Sequence, residues 1–416
     1  MIVGGGIVAV FLTASVITGL GTGLMLSIVP ATIVRVAPAD SVGIASGLYN
    51  TARAAAGAIA GAVFAFVMAS VSAGGVSEPG SSVAPFIAVW AICAGLCILF
   101  AVLSMFVRER PRRAGERRRA SLRLRVSQGA LVAMSSRMAK SPPDFERSRA
   151  ITEGIARRLK VARGVSETRE VIAGVPVNRY SRVVGTAAPG VVLHVHGGAY
   201  VGGSATFGRV HSEVAARAGI EVVSVDYRLA PEHPYPAAVD DALAVYREVS
   251  ASQPVVVVGE SAGGGLALAL VQRIRDEGLV MPVAVVAMMP WADLTQSSSS
   301  YDLNRGRDVL TREGLTRGAL AYAGDLDLTD PGLSPLFGSF DGFPPTLIVV
   351  GTHDSLLEDA RAVFGMLTEA GIQAELVEIA GGTHSFAQMP APEGREAMAL
   401  VFGYMIDALS REPAST

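Results

Sequence analysis

Cysteine is nearly missing from this chain: its 416 residues include two, Cys93 and Cys97, and none follows them. A disulfide framework is therefore excluded for everything beyond residue 97, as expected of a segment that lives in a reducing compartment. Charge is missing too, but only at the front. Between Met1 and Val107 the charged residues are Arg35, Asp40, Arg53 and Glu78, whereas the rest of the chain has an ordinary polar and charged content. The hydrophobic fraction of 50% is too high for an average soluble protein, and the excess lies in that front segment. Net charge is the third scarcity. Its value of −2 gives no global attraction to a polyanion such as nucleic acid.

The charge-poor front divides into three runs, residues 2–34, 54–71 and 84–107. The first has 33 uncharged residues, enough for one membrane span of about 20 but too few for two spans and a turn. The second has Arg53 at its start, where the side chain can snorkel toward headgroups. A cleaved signal peptide would have a basic start and a short apolar core, and two more spans would not follow it. The expectation is a transmembrane segment over residues 1–107. The loop at residues 72–83 has no Lys or Arg, while residues 108–119 read Arg-Glu-Arg-Pro-Arg-Arg-Ala-Gly-Glu-Arg-Arg-Arg. The positive-inside rule places that run, an Arg-rich linker over residues 108–120, on the cytoplasmic face together with everything after it. Its expected partner is an anionic lipid bilayer, and no nucleic acid is expected.

What is present in the remainder is a series of short β-rich runs ending in reactive residue types. Residues 254–258, Pro-Val-Val-Val-Val, lead into Gly259-Glu260-Ser261-Ala262-Gly263-Gly264 and then a helical pattern over residues 266–275. A bare G-x-S-x-G means little in a chain with 46 glycines. Between a strand and a helix, however, it places a serine on a sharp turn with its Oγ exposed. Upstream, residues 191–195 run into His196-Gly197-Gly198-Ala199-Tyr200, a glycine turn of the kind that lends N–H groups to an oxyanion hole. Downstream, the apolar run 345–350 ends at Gly351-Thr352-His353-Asp354, and the run 374–379 leads to Gly381-Gly382-Thr383-His384. Nucleophile, acid and base thus come in the order Ser261, Asp354, His384, each past the carboxyl end of an expected strand. That order is the one of α/β-hydrolases and differs from the chymotrypsin and subtilisin orders.

With Asp226-Tyr227-Arg228-Leu229-Ala230-Pro231-Glu232-His233-Pro234 between the glycine turn and the serine, residues 125–410 resemble the hormone-sensitive lipase family of α/β-hydrolases. Its bacterial members are mostly esterases and lactonases acting on small substrates. The resemblance implies Ser261 as nucleophile, Asp354 as the acid of a D-x-L-x-x-D pattern (Asp354, Leu356, Asp359), and His384 as base. It also implies a helical cap. Two departures stand out, Ala199 where a third glycine is more usual and Glu260 where aspartate is common. Ala199 keeps its N–H, although its methyl group narrows the loop's choice of conformation. Residues 1–107 resemble a C-terminal fragment of a major facilitator superfamily drug transporter, on Gly19-Leu20-Gly21-Thr22-Gly23 and Ala45-Ser46-Gly47-Leu48-Tyr49-Asn50-Thr51-Ala52-Arg53. Three spans alone cannot form an alternating-access carrier, which needs two halves around a midplane site.

The expected fold class is α/β: an α/β-hydrolase fold with a mostly parallel sheet and a helical cap, preceded by about three transmembrane helices. Apolar residues such as Leu122, Leu124, Val126, Ile151 and Ile155 at helical spacings predict helices over residues 121–167, which the resemblance implies are cap helices and which the pattern alone allows equally as packing helices, and the catalytic domain is expected over 168–412. Strands alternate with helices at 191–195, 209–218, 221–225, 238–249, 255–258, 266–275 and 283–288, the pattern of a parallel sheet covered on both faces. Residues 168–180, split by Ala173-Gly174, suit a leading hairpin, and 301–322 a further cap helix.

A serine hydroxyl needs a neighbouring imidazole to take its proton, and the imidazole needs a carboxylate to fix its tautomer. The oxyanion hole is assigned to Gly197, Gly198, Ala199 and Ala262, and Tyr200 and Trp291 are placed in the substrate pocket. His194 and His196 fall on one strand face and, with His384 and Asp354, are metal-ligating types, but the glycine turn already accounts for His196. No metal and no cofactor is assigned. His211 and His233 are expected at the surface or hydrogen-bonded, and Glu358 and Asp359 in helix-capping or salt-bridging roles. The function read from the sequence is a membrane-anchored serine carboxylester hydrolase cleaving small acyl esters or lactones. The alternative is a transporter-hydrolase fusion fragment with a transport-related role. A hydrolase fold retained only for binding is disfavoured, since all three catalytic residue types are present.

Overall fold

The computed structural model describes residues 120–138, 145–185, 187–389 and 391–410. The three expected spans and the Arg-rich run up to residue 119 lie outside the described residues, and among those described no helix is long and apolar enough to cross a membrane. The described residues fall within one compact unit.

Eight strands make one sheet in the order β1-β2-β4-β3-β5-β6-β7-β8. The hairpin of β1 (Val165–Ile172) and β2 (Val175–Arg182) turns on Ala173 and Gly174, both at positive φ, and pairs Ile172 with Val175. The strand β2 is antiparallel to β4 (Glu221–Val225). From β4 onward, β3 (Val191–Val195), β5 (Val255–Glu260), β6 (Ala284–Met288), β7 (Thr346–Gly351) and β8 (Ala374–Ile379) are all parallel. A strand covered on both faces loses the polar alternation of a half-exposed one, which is why β5 begins with four consecutive valines. Val256 and Val258 pack into the apolar layer with Val192 and Val222, while Val255 and Val257 pack into the opposite layer with Val191 and Leu193.

Helices α1 (Leu122–Met138) and α2 (Phe145–Ala156) precede the sheet. Ser121 caps α1 through its Oγ, which accepts the Leu124 N–H at 3.2 Å. It also docks the helix start on Glu393 of α9 (Pro392–Ser410), donating its N–H at 2.6 Å and its O–H at 2.9 Å. Helix α2 is held by Arg149, which donates to the carbonyls of Val201 and Ala230 at 2.7 and 2.6 Å and pairs with Glu232. Between the strands lie α3 (Ser212–Ala218), α4 (Ala237–Ser250), α5 (Ala262–Asp276), the short α6 (Ser300–Leu303), α7 (Arg312–Ala323) and α8 (Leu357–Glu369).

Three helix expectations are corrected. The segment from 209 is a 3-10 turn, Ala205–His211, followed by α3. Residues 301–322 are not one helix, because Gly306 at φ 74° takes the chain out of the right-handed region between α6 and α7. Helix α5 begins at Ala262, four residues before its apolar pattern becomes legible, because Ser261 itself is the turn.

Candidate active site

Ser261 follows β5 and precedes α5 with φ 59° and ψ −125°, a conformation L-residues rarely adopt. The flanking glycines permit it. A Cβ on Gly259 would sit 2.1 Å from the Gly263 carbonyl oxygen, and one on Gly263 would sit 2.1 Å from that of Val195. The turn therefore closes only without side chains at both positions. The Ser261 N–H donates to Met288 O at 2.9 Å, and its carbonyl accepts from Gly265 and Trp291.

The loops after β7 and β8 bring the other two groups to the same end of the sheet. Ser261 Oγ lies 2.8 Å from His384 Nε2, and His384 Nδ1 donates to Asp354 at 3.0 Å (Oδ2) and 3.2 Å (Oδ1). Asp354 is fully buried, and its Oδ1 also accepts the Leu356 N–H at 2.9 Å. Burial pulls the His384 pKa down, but the charge and hydrogen bond of Asp354 outweigh it, with Asp308 and Glu260 adding in the same sense, so the imidazole titrates above its ordinary value. Such a site can take a proton from a hydroxyl and hold the resulting cation.

Opposite the serine, the glycine turn runs through Gly198 at φ 131°, Ala199 at φ 54° and Tyr200 at φ 63°. Among the described residues no hydrogen bond takes the N–H of Gly198 or Ala199, and Ala262 opens a helix whose first N–H groups have no intrahelical acceptor. Gly197 differs from its assignment. Its N–H donates to Glu260 Oε1 at 3.2 Å, so it is occupied in holding the turn. Tyr227 does the same from the other side, its O–H donating to His196 O at 2.6 Å.

A cleft of about 260 Å³ opens on Ser261 and His384. Thr152 of α2, Leu310, and Leu315 of α7 contribute to its wall, so both cap pieces border it. Tyr200 and Trp291, placed in the pocket from sequence, do not line it. Both are buried in the core, where Tyr200 stacks on Tyr322 with ring centroids 3.7 Å apart.

The histidines also part from expectation. His194 and His196 diverge because β3 ends at Val195. His196 stacks on Tyr227 and donates from Nδ1 to Gly197 O, and burial lowers its pKa to about 4. His194 joins Glu260 and His211 in a buried group whose ligating atoms lie within 4.8 Å of one another. Both His194 ring nitrogens are already engaged, Nε2 with Glu260 at 2.9 Å and Nδ1 with Ser224 Oγ at 2.7 Å. His211, expected near the surface or hydrogen-bonded, is buried, with Nδ1 unpartnered among the described residues and its pKa lowered by burial to about 3. His233 is exposed. Glu358 pairs with Arg361 as expected, whereas Asp359 is buried and accepts from the N–H groups of Ala292 and Asp293 and from Tyr301 and Ser298.

Sequence reading missed Ser300, Asn304 and Asp308. These residues, four apart, all bond to the loops carrying Asp354 and His384. Asn304 and Asp308 fall inside the single cap helix expected over 301–322, and Ser300 lies just before it.

Similarity to known proteins falls on this same part of the chain. A family model for the α/β hydrolase fold matches residues 192–388. An esterase of Acinetobacter venetianus is 36% identical over 222 residues, covering 51% of this chain and 73% of that protein. An acetyl-hydrolase of Streptomyces hygroscopicus is also 36% identical over 222 residues, covering 51% and 74%. The crystal structure of an esterase from the bacterial hormone-sensitive lipase family aligns with a TM-score of 0.64 at 31% identity, over 68% of this chain and 99% of that one.

Proposed function

The chain belongs to the hormone-sensitive lipase family of α/β-hydrolases and is a carboxylester hydrolase, and we propose that it works through an acyl-enzyme on Ser261 with His384 as base and Asp354 as orienting acid. The observation that carries this reading is the unbroken chain of hydrogen bonds from Ser261 Oγ through His384 to Asp354. As the serine oxygen bonds to the ester carbon, its proton passes to Nε2, and the imidazolium is stabilised by the buried carboxylate. The carbonyl oxygen becomes an oxyanion facing the N–H groups of Ala262, Gly198 and Ala199, each such donor contributing roughly 3 to 4 kcal/mol in a water-excluded site. The imidazolium then protonates the leaving alcohol, and water cleaves the acyl-enzyme by the same route. These steps use no cofactor or metal.

The cleft of about 260 Å³ is at the lower edge of ordinary ligand sites, which suits small acyl esters or lactones. A fluorophosphonate probe should label the full chain at Ser261, and Ser261→Ala should lose both labelling and hydrolysis of a p-nitrophenyl ester. An alanine variant that stays active removes the reading.

The catalytic unit is held on the cytoplasmic side of the cell membrane by the multi-pass segment 1–107. Support comes from the three charge-poor runs and the arginines at 108–119. A transport-related role for that segment is the second reading, favoured by the glycine and Ala45–Arg53 motifs alone. Retention of the full chain in membranes through alkaline carbonate washing tests the anchoring, and its release would exclude it.

A further inference from the structure

The segment from the start of α6 to the turn before α7 is fastened to the loops that carry Asp354 and His384 by side chains four residues apart. Ser300 Oγ donates to Ser355 O at 2.6 Å, and Asn304 Nδ2 donates to Asp354 O at 2.8 Å. Asp308 reaches furthest. Its Oδ1 accepts the backbone N–H of His384 at 2.8 Å and that of Val309 at 2.7 Å, while its Oδ2 accepts the Ser355 N–H at 2.8 Å. One carboxylate thus binds the backbone of the base and the residue after the acid. Asp308 is 3% exposed, and among the described residues no arginine or lysine pairs with it.

A buried acid without a cationic partner costs stability when ionised, a cost that the three N–H donors offset only in part. Its surroundings suggest a reason in catalysis. The groups facing it are Asp354 and His384 on the adjoining loops. The charge of Glu260 also acts on the His384 imidazole, and Arg307, His353 and Arg125 line a groove that includes the residue before Asp308. From α1, Ser135 bonds to the Val309 carbonyl, so the same turn is also tied to the cap. Leu310, two residues on, forms part of the wall of the cleft.

We propose that Asp308 is a positioning residue for the base: it fixes the backbone of His384 and Ser355 so that the imidazole spans Ser261 and Asp354, and its charge favours the imidazolium. The proposal rests on reading Ser261, His384 and Asp354 as the catalytic set. Burial, then the like charge of Asp354, raises the Asp308 pKa to about 6, while His384 and the N–H groups draw it down. The carboxylate is therefore ionised at neutral pH, where the imidazole must accept a proton.

The test is the pH profile of kcat/KM for a p-nitrophenyl ester, measured on the full chain and on Asp308→Asn. Asparagine can still accept the His384 N–H but carries no charge. The acid limb, which reports the pKa of His384 in the free enzyme, should move to lower pH by roughly one unit. At the optimum, kcat should fall roughly tenfold with KM within about twofold. An unmoved acid limb overturns the proposal, since a merely structural contact would leave it in place. If Asp308→Asn does not fold, Asp308→Glu keeps the charge but displaces it by one methylene. That variant should keep the wild-type acid limb while kcat falls, and a wild-type kcat overturns the proposal. Fluorophosphonate labelling of wild type and Ser261→Ala, run in parallel, separates the two levels. Loss of Ser261 dependence defeats the catalytic reading itself, whereas intact dependence with an unmoved limb defeats only the role of Asp308.

Discussion

His194 and Glu260 form a buried pair behind the glycine turn, imidazole Nε2 to carboxylate Oε2 at 2.9 Å. The other carboxylate oxygen takes the Gly197 N–H, and the other imidazole nitrogen meets Ser224. Burial raises the Glu260 pKa, but His194, His211 and the Gly197 N–H together pull it below the ordinary carboxylate value. The residue before the nucleophile therefore holds the loop that faces the nucleophile. Glu260→Asp, one methylene shorter, cannot keep both bonds at these lengths, and kcat/KM should fall about tenfold, corresponding to about 1.4 kcal/mol. His194→Phe leaves the carboxylate buried without its partner and should cost about 3 to 5 kcal/mol of unfolding free energy in urea titrations. Wild-type stability in that variant would mean the pair contributes nothing.

Much of this was legible in the sequence, because continuous valine runs have one good home, a strand covered on both faces. The same holds for Ser261, Asp354 and His384, each of which follows such a run immediately. What remained hidden depends on distance across the fold. Nothing near Gly197 in the chain indicates that its N–H is taken by a residue 63 positions later. Tyr200 and Trp291 flank the reactive loops in sequence, yet a neighbouring aromatic, Tyr322 from α7, draws Tyr200 into the core. The contacts of Asp308 depend on the break in the chain at Gly306, which a helical pattern over 301–322 does not disclose.

The nucleophile turn should tolerate no side chain at its glycines. Gly259→Ala places a methyl 2.1 Å from the Gly263 carbonyl oxygen, a clash with backbone that no rotamer relieves. Fluorophosphonate labelling of that variant should disappear. Gly365, inside α8 with nothing within 4 Å of the point where a Cβ would sit, is the internal contrast. Gly365→Ala should raise stability by roughly 0.5 to 1 kcal/mol with labelling intact. Equal behaviour of the two variants would show that the turn is not under steric control.

Asp359 predicts a pH dependence of stability. Burial and the charge of Asp293 raise its pKa to about 8, above the 3.8 of the unfolded chain. The folded state therefore keeps a proton that the unfolded state has released. The associated stability is present in full below about pH 4 and is lost as the pH rises toward 8. Asp359→Asn preserves an acceptor for Ala292, Asp293 and Tyr301 and offers a donor to Ser298. Its stability relative to wild type should grow between pH 4 and pH 8 and level off above, with an upper bound of roughly 6 kcal/mol. A pH-independent difference in urea midpoints would contradict this.

Acyl-chain preference should follow the wall built by α7. Leu315 is buried and lines the cleft beside Ser261. Leu315→Ala removes three carbons from that wall, and each methylene of a longer acyl chain that fills the space gains about 0.8 kcal/mol, or roughly fourfold. The ratio of kcat/KM for a hexanoyl ester over an acetyl ester should therefore rise by roughly tenfold or more, with the acetyl value changed much less. The change should appear in the long-chain rate constant, because the added burial is made in the transition state as well as in the bound ester. If α7 instead moved inward to close the gap, the ratio would stay at its wild-type value, and the wall would have no part in selecting the acyl group.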